Sequence, residues 1–235
     1  MTRCKSPRPL YCRQAKFCGE NERMEMKTRS KAHRGYSLLE MLAAIAISFT
    51  LAGIAGMALM PEMNSRDVTT SYNDTLTTLR RARDQAANDM RTYVVTFTAP
   101  GTITVQQSIS ATGSCQIPPT GTTLMTTVLP STVTFHIESG VPTSNTTAPT
   151  TPDQFGNAGY AIDFDQGYNA GTTTICFNPD GTASDPLGNA NNGVVYMARP
   201  GDLYSSRAIT LWGMTGRIRG WRLYNVSGTN TWVQQ

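Results

Sequence analysis

The chain has 235 residues, 39% hydrophobic and only 15% charged, which fits one domain with extensions or at most two small ones. Thr, Gly, Asn and Ser are plentiful, a mixture that suits a β-rich, loop-rich body and argues against a helical enzyme core. The net charge of +4 hides an asymmetry: residues 1–35 hold ten Lys/Arg against three acids (+7), and the remainder holds ten Arg against thirteen acids (−3), with no Lys after Lys31. A basic flank and a mildly acidic body carry charge as two products of different compartments would.

The first element is that basic flank. It contains Cys4, Cys12 and Cys18, and Met24 and Met26 inside it are alternative starts, Met26 opening the compact leader "MKTRSKAHRG". Next comes "RGYSLLEMLAAIAISF", Arg34 to Phe49. From Met41 to Met60 twenty residues carry no charge, about 30 Å of helix and so the thickness of a bilayer core. The basic residues lie before it, which places that end in the cytoplasm and the C-terminal body across the membrane. A cleaved secretory signal has a shorter apolar stretch, and "AIA" at 44–46 falls mid-run. A plain anchor does not account for Glu40, since a carboxylate at the bilayer centre costs about 2.5–3.5 kcal/mol and marks a function by default.

Beyond Pro61 the helix pattern continues. Val68, Tyr72, Leu76, Leu79, Ala82, Ala86 and Met90 recur at spacings of three and four, an apolar stripe expected to pack on a sheet. Strand patterns follow at 93–99, 102–107, 132–137, 160–165, 173–178, 193–198, 207–212 and 216–224. The segment 119–152 holds twelve threonines and reads as an irregular excursion around one strand. Cys115 and Cys176, the two cysteines of the body, are expected as one disulfide, the alternative being two buried thiols.

"RG-YSLLE" before an apolar helix resembles the prepilin signature of type IV pilins and type II secretion pseudopilins. "LRRARDQAANDMRTYVVTF", "ICFNPDGTAS" and "RAITLWGMTGRIRG" are similar to the GspH/FimT pseudopilins, and together the matches cover most of residues 35–222. The resemblance implies a pilin-like α+β fold, one long N-terminal hydrophobic helix followed by an antiparallel β-sheet domain. It implies a leader over 1–35, a helix over 36–90 with its membrane part at 36–60, and a periplasmic β-rich domain over 91–235. A membrane-bound prepilin peptidase would cut between Gly35 and Tyr36 and Tyr36 would be N-methylated; the family usually has Phe there. Glu40 becomes the fifth mature residue, the position of the family's glutamate. Physics agrees: inside packed apolar helices an isolated carboxylate needs a partner, and the new Tyr36 amine of the same or a neighbouring subunit supplies one. The implied partners are other pilins in a fibre and an inner-membrane assembly platform, with a single-pass inner-membrane location.

Other chemistries read weakly. The body has one histidine, His136, in an apparent strand, with no zinc cluster, catalytic triad or phosphate loop; no enzyme, cofactor or metal is expected. Asp163, Asp165 and Asn169 offer oxygens without EF-hand spacing, and in a strand the two aspartates would share a solvent face. "GRIRGWR" sets Arg217 and Arg219 on one side of a strand, followed by Trp221, Arg222 and Tyr224. It resembles the C-terminal element by which FimT-type minor pilins bind DNA, so Arg217, Arg219 and Arg222 are the candidates for nucleic acid. Against this stand the body's −3 and the alternative of an edge strand guarded by arginines. The expected function is a structural subunit of a type II secretion pseudopilus or type IV pilus, with a DNA-uptake minor pilin as the alternative.

Overall fold

The computed structural model describes residues 36–109, 115, 122–143, 153–156, 159–164, 172–186 and 188–235; the side chains at 57–62 and 64 fall outside that description. Gly35, the leader, Asp165, Asn169 and much of the Thr-rich insert lie outside the described residues. The chain divides into two units, residues 1–49 and 50–235. One helix, α1, runs Leu38–Asp89, 52 residues. Ten strands follow: β1 (Tyr93–Thr98), β2 (Thr102–Gln107), β3 (Thr123–Val128), β4 (Ile162–Asp163), β5 (Thr174–Phe177), β6 (Ala183–Ser184), β7 (Gly193–Met197), β8 (Arg207–Trp212), β9 (Arg217–Val226) and β10 (Thr229–Gln234). The fold is α+β, an N-terminal apolar helix followed by antiparallel sheets.

In the first unit the described residues open α1. Every one from Tyr36 to Phe49 is exposed, and the 19 residues Leu38–Gly56, with mean hydropathy 2.1, are long and apolar enough to cross a membrane. The second unit begins inside that exposed run and then changes character at Val68. From there the stripe read in the sequence is the buried side of α1: Val68, Tyr72, Leu76, Leu79, Ala82 and Ala86 all enter the core, whereas Met90 is exposed. Two buried hydroxyls between them bond one turn back, Ser71 Oγ to the Asp67 carbonyl at 2.8 Å and Thr75 Oγ1 to the Ser71 carbonyl at 2.8 Å. The helix stops where Met90 turns left-handed (φ 54) and the Arg91 amide returns to the Ala86 carbonyl at 3.2 Å, a Schellman closure.

The strands form two five-stranded sheets, β3-β2-β1-β5-β6 and β10-β9-β8-β7-β4. Alternation splits each sheet between two environments. Tyr93, Val95, Phe97, Ile175 and Phe177 of the first sheet and Val195, Met197, Ile209 and Leu211 of the second share one core with the helix stripe. The opposite face of the first sheet buries Val94 with Cys115 and Cys176. The opposite face of the second buries Val194, Tyr196 and Ala208, packed by Ile137, Val141, Phe155, Trp221 and Trp232. Where the sheets meet, Gly213 lets two backbones touch: its carbonyl accepts from Ala183 N at 2.7 Å, and a Cβ there would overlap the Asn191 backbone.

A hydrogen bond ties the helix end to the first strand, Tyr93 Oη donating to Asp89 Oδ2 at 2.6 Å. Burial, then that bond, push the Tyr93 phenol up to about 12; burial also raises Tyr72 and Tyr196. A phenol whose folded pKa exceeds its unfolded value of about 10 contributes stability that is fully present below pH 10 and is lost as pH rises toward 12. We expect the denaturant midpoint to fall across that window, with phenolate absorbance rising in step with unfolding. A Tyr93→Phe variant should show a shallower fall.

The structure departs from the sequence expectation in several places. Residues 132–137 form no strand: Thr134 makes an isolated bridge with Ala198, and Phe135 N is taken by the Pro100 carbonyl at 2.8 Å, so the backbone bonds go to loops and no ladder forms. His136 therefore stands outside a strand, half exposed and 3.4 Å from Glu138 Oε1. Asp163 does not lie on a solvent face; it is 1% exposed in β4, because both residues of that two-residue strand are covered. Three strands were missed: β3, inside the Thr-rich insert, the two-residue β6, and β10, in the C-terminal tail.

Candidate functional site

Two regions carry the candidate residues. The first is the start of α1. Ser37 opens the helix, its carbonyl accepting from Glu40 N at 3.0 Å and Met41 N at 3.1 Å, and Glu40 occupies the first turn, where a carboxylate meets the positive end of the helix dipole. Around it Tyr36, Leu38, Leu39, Met41 and Leu42 are 54–79% exposed. Soluble surfaces rarely present so continuous an apolar area. Ser48, a hydroxyl within the run, donates to the Ala44 carbonyl at 2.8 Å, so it leaves no unpaired donor on an apolar surface.

The second region is β9, where the strand's alternation separates the arginines. Arg217 and Arg219 project on the face away from α1 and converge on one acceptor, Asp153 Oδ2, at 2.9 and 2.6 Å. Thr210 Oγ1 donates to the other carboxylate oxygen at 2.9 Å and accepts from Trp221 Nε1 at 2.9 Å. Asp153 holds a left-handed φ of 64°, and its neighbour Phe155 stacks on Trp232, with centroids 5.3 Å apart and planes 8° apart. The Phe155 carbonyl accepts from Tyr196 Oη at 2.7 Å. A short segment, 153–156, thus covers the arginine face with an acid and an aromatic ring.

Arg222 is elsewhere. It follows Trp221 on the opposite face, directly across from Arg207 of β8, and its guanidinium lies 5.0 Å from the Tyr224 ring. "GRIRGWR" therefore does not present one basic surface. Nor is β9 an edge: it pairs with β8 and β10, so the reading of arginines guarding an edge is corrected too. Sequence reasoning missed Asp153, more than sixty residues upstream and just past the Thr-rich insert, and no local pattern pointed to it.

Replacing Asp153 by Asn leaves Arg217 and Arg219, both partly exposed, as unpaired like charges. We expect a loss of about 1–2 kcal/mol in chemical denaturation and faster proteolysis near residue 153. Unchanged stability would show that the segment is held by Phe155 and its aromatic neighbours alone.

Cys115 and Cys176 are joined as a disulfide, with Cα atoms 5.7 Å apart, on the outer face of the first sheet. Among the described residues, no group of three His, Cys, Asp or Glu side chains is placed to hold a metal ion.

No protein-family model matches the chain, and no curated protein matches it. Among solved structures, the chain is similar to the Pseudomonas aeruginosa (strain PAO1) type IV minor pilin FimU. The TM-score is 0.40 and the identity 12%, over 65% of this chain and 87% of that one.

Proposed function

We propose that the chain is a pseudopilin or minor pilin, a structural subunit processed by prepilin peptidase after Gly35, N-methylated at Tyr36 and built into a type II secretion pseudopilus or a type IV pilus. The observation that carries the reading is a sequence motif set on an uncovered helix: "RG-YSLLE" leads into an α1 whose exposed first turns are mostly apolar and carry one carboxylate. Such a surface needs lipid before assembly and other helices after it. The helix would sit in the inner membrane with the basic leader cytoplasmic and residues 91–235 periplasmic. The assembly platform would extract it into a fibre where Glu40 pairs with a Tyr36 amine and sets the axial stagger. The Cys115–Cys176 bridge belongs to this reading, since such bonds persist in an oxidising compartment.

Intact-mass and N-terminal peptide mass spectrometry of the membrane form tests it. The expected species begins at Tyr36 and carries one added methyl. An intact leader, or a cut at any other residue, overturns the proposal. The DNA-uptake alternative has less behind it, because the body carries −3 and Asp153 already occupies two of the three candidate arginines.

A further inference from the structure

Arg207 and Arg222 oppose each other across β8 and β9, on the face turned toward α1. Like charges in directly opposed positions destabilise a sheet, and burial sharpens the conflict. Arg207 is 4% exposed, and its guanidinium is pushed down to about 10, first by desolvation and then by Arg222. The arrangement is nevertheless built firmly. Arg207 Nη1 donates to the carbonyls of Tyr204, Ser205 and Ser206 at 3.4, 2.9 and 3.2 Å, which fixes the guanidinium in place.

These two arginines line a cavity of about 270 Å³ together with Arg199, Asp202, Ser65 and Val68. Three guanidiniums face one carboxylate, a local excess of +2. Among the described residues none of the three forms an ion pair within 4 Å. Arg222 Nε is buried with no hydrogen-bond partner, as is the hydroxyl of Tyr72, one turn of helix beyond Val68. Unpaired buried cations and donors are costly, and a fixed guanidinium fork matches phosphate geometry.

Position narrows the source of the anion. The uncharged run ends at Met60, and α1 is continuous to Ser65, five residues or about 7.5 Å further along the axis. The headgroup layer on one side of a bilayer is about 5–7.5 Å thick. We propose that this cavity binds a phosphate group, supplied by the headgroup of an anionic phospholipid. The lipid source rests on the membrane reading above; the phosphate chemistry does not.

The test uses the full chain in neutral detergent, melted with dihexanoylphosphatidylglycerol, with dihexanoylphosphatidylcholine, with inorganic phosphate or with a hexaglutamate peptide. At about ten times the Kd, a bound ligand should raise the melting temperature by about 3–6 °C. We expect that rise with the phosphatidylglycerol and a smaller one with the zwitterionic lipid. Arg199→Gln/Arg222→Gln should abolish it, and Arg80→Gln/Arg81→Gln, with the same loss of charge elsewhere, should retain it. Arg199 and Arg222 are only partly buried, so the variant should fold, and the single Arg222→Gln repeats the measurement. An equal rise with inorganic phosphate assigns the site to a free phosphate. No rise with any probe, or a rise that survives Arg199→Gln/Arg222→Gln, overturns the site. So does a rise given only by an acidic peptide, which would mark a carboxylate-bearing partner. Membrane anchoring is read separately by vesicle flotation, so either idea can fail alone.

Discussion

Glu40→Gln is expected to leave cleavage after Gly35 and membrane insertion unchanged while reducing incorporation into fibres about tenfold or more. The carboxylate lies in the first turn of α1, ringed by exposed apolar side chains. In the proposed membrane form it would lie near the membrane boundary, where a charge is tolerated. In a bundle of helices it is removed from water, and the proposed Tyr36 amine becomes its counter-charge. Deleting one partner of a buried pair costs about 3–5 kcal/mol, because the survivor is left uncompensated; each 1.4 kcal/mol is about a factor of ten in an equilibrium. Gln preserves shape and hydrogen bonding but leaves the amine alone. Co-isolation of tagged subunits with sheared fibres measures the effect, and flotation of the same variant controls for insertion. Wild-type incorporation of Glu40→Gln would remove Glu40 from the assembly mechanism.

Reducing Cys115–Cys176 is expected to destabilise residues 50–235 by about 4 kcal/mol. The two cysteines are 61 residues apart in sequence, and closing a loop of that size removes about this much free energy's worth of disorder from the unfolded chain. The bond also anchors the chain just before the Thr-rich insert to β5, an interior strand of the first sheet, with both cysteines buried against Val94. Denaturant unfolding with and without reductant should therefore show a large drop in midpoint. The denaturant slope should steepen as well, since an uncrosslinked chain exposes more surface when it unfolds. Cys176→Ser should match the reduced protein. Equal midpoints, with thiol titration showing two free cysteines, would mean that the unfolded chain is already compact around this pair.

What the sequence disclosed follows from how local each signal is. The helix stripe from Val68 to Ala86 was legible because a 3.6-residue period needs no knowledge of the partner surface. β2 and β8 were found at their observed bounds, since Thr102–Gln107 and Arg207–Trp212 sit between clear turns. β3 was hidden because "TLMTTV" is mostly exposed along one sheet edge, so its composition matches that of the loop around it. β10 was hidden for the same reason, with alternating partly exposed residues. "TVTFHI" misled in the other direction: Val133 and Phe135 are buried in the main core, Phe135 against Phe97, but their amides bond to loop carbonyls and form no ladder. The arginine motif showed the limit most plainly. Which side chains share a face could be read from alternation, whereas the acid that meets them arrives from the loop just past the insert, and only the folded chain brings the two together.

The helix enters the same core as both sheets, through Val68, Tyr72, Leu76, Leu79, Ala82 and Ala86. A pull applied along α1 is consequently shared between the two β layers from the outset, with no weaker layer to peel first. Such a body should yield late and all at once under axial tension.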